Sequence, residues 1–111
     1  MIPPALTHQF TLETPVESPD RGGGVSRSWN PIGVLWGAVT TRSTREELAG
    51  LRPSSVIRHR VVVRSAPVGS PQRPRADQRL RRGERIFAIL GVTDHEMPGY
   101  LRLDVEEGAF Q

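Results

Sequence analysis

The sequence has 111 residues, of which 36% are hydrophobic and 5% aromatic, and this favours one small domain with a modest core. All 15 basic residues are arginine, the formal net charge is +3, and the lack of cysteine excludes disulfide frameworks, thiolate zinc sites and cysteine nucleophiles. Because no apolar run approaches the roughly 18 residues of a membrane helix and the first residues do not resemble a signal peptide, we expect a soluble protein of the cytoplasm or of an assembly formed there.

The first third of the chain predicts three strands. Alternation of apolar and polar residues from Leu6 to Glu13 indicates the first strand, and the proline and glycine residues between Ser18 and Gly24 indicate a hairpin turn. Residues 25–29 then form a returning strand, which we expect Asn30 and Pro31 to end. A third strand over residues 33–41 is apolar on both faces, as is typical of a central or covered strand.

A helical turn is expected next, over Ser43 to Leu48. Ser43 would be its N-cap, and Glu46 three residues later completes a capping box. Pro53 ends this element because it restricts the backbone of Arg52.

The second half of the chain predicts further strands. Residues 57–64 alternate cleanly, with one apolar face and one arginine-rich face. A proline-rich loop covers residues 66–76, and residues 78–82 form a short strand. Residues 82–92 and 100–108 then read as two closing strands around a polar turn.

These elements predict an all-β fold in a single domain over residues 1–111. Six to seven short strands, one short helical turn and long loops are typical of a small antiparallel β-barrel or sandwich.

Nothing in the sequence predicts an active site, a metal site or a cofactor. His8 and His59 lie on the apolar faces of their strands, which indicates partly buried core histidines rather than ligands. His95 lies between Asp94 and Glu96 in a polar turn; these three could hold a cation weakly, but adjacent side chains diverge, so a solvated turn is favoured. The chain also lacks a nucleophile motif, so a small hydrolase is the weakest hypothesis and we expect no enzyme.

The arginine residues are the one organised charged feature. Three of them share the polar face of one strand, and six more crowd the end of the proline-rich loop and the segment after it: Arg58, Arg60 and Arg64, then Arg73, Arg75, Arg79, Arg81, Arg82 and Arg85. They could neutralise phosphates, or pair with carboxylates within the chain or across a subunit contact, or simply follow codon bias. A stand-alone arginine-rich nucleic-acid-binding β-barrel is therefore an alternative, although no aromatic residues interleave with the arginines.

Seven segments in a shared order carry a family pattern: residues 6–12, 23–29, 34–39, 44–47, 57–64, 82–89 and 100–108. Their order resembles the phage head–tail joining family, the small head-closure or stopper proteins of long-tailed phages and phage-like gene transfer agents. The chain departs from that pattern at Ser43-Thr44, where the family has glycine, and at Pro67 to Pro74, where the loop is longer and stiffer.

This resemblance implies a structural protein of the virion neck, assembled in the bacterial cytoplasm. Copies would form a ring, with a hexamer favoured over a dodecamer, between the adaptor protein below the portal and the tail terminator. The ring would close the DNA-filled head, join it to the tail and contact packaged double-stranded DNA non-specifically, with no membrane involved. Infectious phage, gene transfer agent and prophage remnant remain open as its source.

The resemblance also implies candidate site residues. A channel-facing loop would span Arg42 to Val56, with an ordinary surface connection as the alternative, and its charged candidates are Arg42, Arg45, Glu46, Glu47 and Arg52. Candidate contacts with other subunits or neighbouring proteins are Arg58, Arg60, Arg64, Arg73, Arg75, Glu106 and Glu107.

Overall fold

The computed structural model describes residues 2–43 and 56–108, with the backbone alone for residues 42 and 43. Its strands in this part of the chain are β1 (His8–Pro19), β2 (Val25–Ser43), β3 (Ile57–Arg64), β4 (Arg79–Arg82), β5 (Arg85–Asp94) and β6 (Tyr100–Glu107). All neighbouring strands are antiparallel, and they close a barrel in the order β1-β2-β3-β6-β5-β4. The predicted all-β fold is therefore confirmed, and of the two predicted architectures it is the barrel rather than the sandwich. No helix capable of crossing a bilayer occurs within the described ranges.

The barrel interior is filled by the apolar faces that period-two alternation predicts. In β6, for example, Leu101, Leu103 and Val105 are fully buried, while the residues between them face outward. Phe10 and Phe87 meet edge-to-face at the centre, with their ring centroids 5.6 Å apart. These residues belong to one core cluster: Phe10, Leu12, Val61, Val63, Leu80, Phe87, Ile89, Leu101, Leu103 and Val105.

The strand predicted over residues 82–92 begins too early, because a turn at residues 83 and 84 separates β4 from β5. The boundary predicted between the second and third strands is also wrong, because the two are a single strand, β2. Asn30 and Pro31 do not end it; a bulge opposite Leu12 and Glu13 leaves Ile32 as an extra residue that packs against the core. Pro31 is tolerated because β2 pairs with β3 only from Gly37 onward, so the earlier part of β2 is an edge strand.

The β1–β2 hairpin extends beyond the barrel as an arm, which comprises residues 14–30. β1 pairs with β4 only over Thr11 to Glu13, so among residues 2–43 and 56–108 the two strands of the arm pair only with each other. Asp20 organises its tip, since Asp20 Oδ1 accepts hydrogen bonds from the backbone N–H groups of Gly22 at 2.8 Å and Gly24 at 2.9 Å. The predicted hairpin turn is therefore present at the end of a longer ribbon than the sequence indicates.

The proline-rich segment is a loop held by local contacts, as predicted. The Arg73 side chain donates a hydrogen bond to the Ala66 carbonyl at 2.9 Å, and Pro74 is fully buried. The short strand that follows it is observed as β4. The predicted helical turn from Ser43 to Leu48 lies outside the described residues, except for the backbone of Ser43, which belongs to β2.

Candidate functional site

The arginine-rich face of β3 lies on the outer wall of the barrel, opposite acidic residues of β6. Arg58 Nη2 is 3.5 Å from Glu106 Oε1, and Arg60 Nε is 3.7 Å from Asp104 Oδ1. Arg64 instead lies over the ring of Tyr100, 5.8 Å from its centroid. Cross-strand pairing therefore balances much of the charge on this wall, as expected for arginine paired with carboxylates.

A second arginine cluster surrounds Glu13 on the wall formed by β1 and β4. Glu13 is only 4% exposed, and its carboxylate accepts hydrogen bonds from Arg79 Nε at 2.6 Å and forms an ion pair with Arg81 Nε at 2.9 Å. The ion pairs link β1 to β4, the pair of strands that closes the barrel. With two guanidinium groups on one carboxylate, this wall keeps an excess of positive charge.

Trp29 connects the arm to this cluster. The guanidinium carbon of Arg79 lies 4.2 Å from the indole centroid, and that of Arg27 lies 5.8 Å away. Arg27 in turn pairs with Glu17 across the arm at 2.9 Å. Trp29 therefore anchors the arm to the barrel through cation–π contacts.

The ends of β2, β3 and β6 meet in a third polar cluster, at the base of the predicted channel loop. Glu107 accepts two hydrogen bonds from Arg85, at 2.7 Å from Nε and 2.9 Å from Nη2. Glu107 Oε1 also lies 2.8 Å from His59 Nε2, and Thr41 Oγ1 lies 3.2 Å from His59 Nδ1. Because an ionised carboxylate can only accept, Nε2 of the buried His59 is the donor.

The electrostatics of this cluster match its geometry. The hydrogen bonds from Arg85 are the main cause that lowers the pKa of Glu107 from 4.5 to about 2, against the opposing effect of burial. The same hydrogen bonds raise the pKa of Arg85. The cluster therefore contains a carboxylate that stays ionised and accepting, which suits a structural contact rather than proton transfer near neutral pH.

The predicted contact residues are spread over the surface rather than gathered in one site. Arg73 contacts the backbone of its own loop, and Arg75 Nε lies 3.4 Å from Asp77 Oδ1. Of the charged candidates in the predicted channel loop, only the backbone of Arg42 is described, as part of β2. The others lie outside the described residues: Arg45, Glu46, Glu47 and Arg52.

The histidines occupy the environments that the sequence indicates. His8 is half-buried and stacks at 6.5 Å on Phe10, while His59 is buried. His95 lies in the turn after β5, where its Nδ1 accepts a hydrogen bond from the Met97 N–H at 3.0 Å. Within residues 2–43 and 56–108, no group of three or more potential ligands could hold a metal ion.

A shallow groove runs over the outer face of β1, and we call it the outer groove. Its volume is about 480 Å³. Val34 and Trp36 form an apolar side, about half exposed at 55% and 51%, and Arg81 and Arg82 form a cationic side. Its floor consists of short or polar side chains from Thr7, Gln9 and Thr11.

The sequence alone does not single out Glu13, Thr41 or the outer groove, and it gives Trp29 only as the end of the family-pattern segment over residues 23–29. Glu13 meets Arg79 from 66 positions away, and Thr41 meets His59 from 18 positions away. No local spacing could reveal these contacts. The one available signal was the apolar character of both faces of the strand that carries Val34 and Trp36, since it leaves an apolar outer surface.

Over nearly its whole length, the chain is similar to a protein of a gene transfer agent particle. A chain in the virion of a native gene transfer agent particle has 35% sequence identity to it and a TM-score of 0.81. The match covers 97% of this chain and 100% of the other.

A second structure shares the fold alone. The solution structure of a protein from Shigella flexneri 2a has 22% identity and a TM-score of 0.65, with 96% of each chain covered. No curated protein matches the chain.

The family model described as phage head completion protein matches residues 1–108. The chain therefore belongs to the phage head completion protein family, as its sequence pattern predicts, and its role is structural and not enzymatic.

Proposed function

We propose that this protein forms a ring in the neck of a tailed phage or phage-like particle. The ring lies between an adaptor protein on the head side and the tail terminator, closes the DNA-filled head and joins it to the tail. The observation that carries this proposal is the similarity of almost the whole chain to one from a gene transfer agent virion, together with the head completion family. The chain acts as a single domain over residues 1–111, assembled in the bacterial cytoplasm.

The described surface suits assembly with other chains. Within the described residues the barrel itself is closed, and the free sheet edges belong to the arm. The arm projects from one end, and the outer groove leaves Trp36 half exposed on the wall. A rigid body with a projecting ribbon and an apolar patch resembles a subunit more than an isolated binder of small ligands.

The segment from Arg42 to Val56 faces the channel in this proposal and contacts packaged DNA non-specifically. Its two ends leave the same end of the barrel, since Ser43 pairs with Arg58. The His59–Glu107–Arg85 cluster stands beside them and stabilises the base of the segment. Arg42, Arg45 and Arg52 would meet phosphates, and Glu46 and Glu47 would limit the affinity so that DNA can pass.

The surface arginines and β6 carboxylates contact neighbouring subunits or neck proteins in this proposal. Arg58 and Glu106 are the strongest pair of candidates, because their 3.5 Å ion pair is at the surface and can be exchanged for one between chains. The pairing of arginines with carboxylates disfavours the alternative of a stand-alone nucleic-acid-binding barrel. A titration of the free protein against duplex DNA separates the two functions, since a stand-alone binder has a steep salt dependence.

Deletion of the gene tests the proposal most directly. We expect particles with filled or leaking heads and separate tails by electron microscopy, and restoration of joined particles when the gene is supplied in trans. Mass measurement of the chain cross-linked within purified particles gives the ring size, with six copies expected. Complete heads joined to tails in the deletion strain would overturn the proposal.

A further inference from the structure

We propose that the outer groove receives the turn between β5 and β6 of a second copy of this chain. This turn comprises residues 95–99, and together with Asp94, the last residue of β5, we call it the acidic turn. The proposal rests on the ring proposed above and assigns the two surfaces through which neighbouring copies meet.

The outer groove carries positive charge that the described part of the chain neutralises only in part. Arg81 shares the single carboxylate of Glu13 with Arg79, and its side chain is still 45% exposed. Arg82 is exposed and forms no ion pair within the described part of the chain. Beside these cations lie the half-exposed side chains of Val34 and Trp36. The groove therefore suits a partner segment that combines carboxylates with apolar side chains.

The acidic turn has this chemistry. Asp94 and Glu96 are exposed, and neither belongs to an ion pair among residues 2–43 and 56–108. Met97 and Pro98, which lie between Glu96 and the start of β6, supply apolar surface. The turn contains no basic side chain other than His95, which packs against Tyr100 with their ring centroids 6.1 Å apart.

The acidic turn is also held in one conformation. The His95 N–H donates to the Tyr100 carbonyl at 3.1 Å, and His95 Nδ1 accepts from the Met97 N–H at 3.0 Å. Gly99 takes a φ of 94°, and its carbonyl accepts a hydrogen bond from the Ser65 N–H at 2.9 Å. Binding therefore needs little further ordering of this segment, which favours its use as a contact.

The two surfaces lie on opposite sides of the barrel. In the closed strand order β1-β2-β3-β6-β5-β4, β1 and β6 are separated by two strands in either direction. The groove over β1 and the turn that begins β6 therefore face away from each other. Two different, oppositely directed surfaces produce a head-to-tail contact between copies, and such contacts generate a ring when the rotation closes.

Cysteine cross-linking tests this contact, because the natural chain has no cysteine. Gln9→Cys places a thiol on the floor of the outer groove, and Pro98→Cys places one on the acidic turn. Particles carrying both substitutions in one chain are treated with a short bis-maleimide. We expect a ladder of covalent oligomers, whereas each single-cysteine chain stays monomeric. The opposite locations of the two thiols prevent cross-linking within one barrel.

The outcomes separate this inference from the proposed ring. Dimers from a single-cysteine chain, or no ladder from the double variant in particles where glutaraldehyde still gives oligomers, would overturn the inference and leave the ring intact. Complete particles in which glutaraldehyde gives no oligomer at all would overturn the ring, and the inference with it.

Charge reversal gives an independent test. We expect Glu96→Arg or Arg82→Glu alone to reduce the yield of joined particles by about tenfold, because like charges then face each other, and the combination to recover most of it. Gln72→Glu is the control, since Gln72 is exposed in the proline-rich loop and does not line the outer groove. Circular dichroism of each purified variant checks that it folds. A combined variant no better than the single ones would contradict the contact.

Discussion

Arg85 and Glu107 form a two-hydrogen-bond pair, at 2.7 Å and 2.9 Å, that joins the start of β5 to the end of β6. Glu107 also accepts from His59, so one carboxylate connects three strands at the end of the barrel from which residues 44–55 leave. This end of the barrel is therefore stabilised by charge, while its interior is stabilised by apolar packing.

The stability of the protein should depend on the ionisation of Glu107. Its folded-state pKa, about 2, lies below the ordinary 4.5. The contribution is therefore complete above about pH 4.5 and is lost as the pH falls towards 2. We expect Glu107→Gln to lower the free energy of unfolding by about 1–2 kcal/mol at neutral pH, with allowance for the half-exposed Arg85. In urea unfolding, the difference from the natural protein should shrink as the pH falls through this window. A constant difference would contradict the assignment.

Glu13 should be far more sensitive to substitution than Glu17. Glu13→Gln weakens the contacts to Arg79 and Arg81 and leaves their charges without a carboxylate partner at a buried site. We therefore expect the free energy of unfolding to fall by about 2–3 kcal/mol. Glu17→Gln removes an exposed pair with Arg27 and should cost at most about 1 kcal/mol. Chemical denaturation of the two variants measures both losses. Equal losses would show that β1 and β4 are not joined through Glu13.

Gly37 should not tolerate a side chain. A Cβ at this position would lie 2.7 Å from Val61 Cγ1 and 3.2 Å from the Val62 carbonyl oxygen, and the latter is backbone that cannot move aside cheaply. We expect Gly37→Ala to lower the free energy of unfolding by about 1–3 kcal/mol. Gly33→Ala on the same strand is the control, because nothing lies within 4 Å of its Cβ, and it should be close to neutral. Thermal unfolding of the pair provides the comparison.

Trp29→Ala should release the arm from the barrel without unfolding it. The substitution removes the ring over which Arg79 and Arg27 lie. We expect backbone amides of the arm to exchange about fivefold faster, while amides of β3 and β6 keep their protection. Trp29→Phe keeps an aromatic face, so we expect the amides of the arm to keep most of their protection from exchange in this variant. Hydrogen exchange read by mass spectrometry distinguishes the two regions, and uniform loss of protection would contradict a local role.

The sequence predicts most of the fold because the alternation of apolar and polar residues in β3 and β6 allows one orientation of each strand. The face that carries Val61 and Val63 in β3, or Leu101 and Leu103 in β6, must be buried. It fails at Pro31, where local chemistry indicates a strand end. The proline is tolerated because no strand in the described part of the chain pairs with that edge of β2, and the pairing of distant strands determines which edge stays open.

The candidate sites, like the fold, are predictable from the sequence only in part. The sequence identified the arginine-rich face of β3, since Arg58, Arg60 and Arg64 recur every second or fourth residue. It did not identify Glu13 as the partner of Arg79, or Thr41 as the partner of His59. The first pair is separated by 66 positions and the second by 18. Hydrogen bonds between residues so distant in sequence leave no periodic signal.

The sequence by itself determined the class of the protein: all-β, free of cysteine, rich in arginine and ordered as in the head–tail joining pattern. Alternation and turn chemistry act over a few residues, so they can be recognised without a structure. Only the tertiary structure decided which charges are balanced and which are left exposed. Barrel closure directs Arg79 to a buried carboxylate and leaves Arg82 at the surface beside Trp36, because strand register assigns each side chain its neighbours.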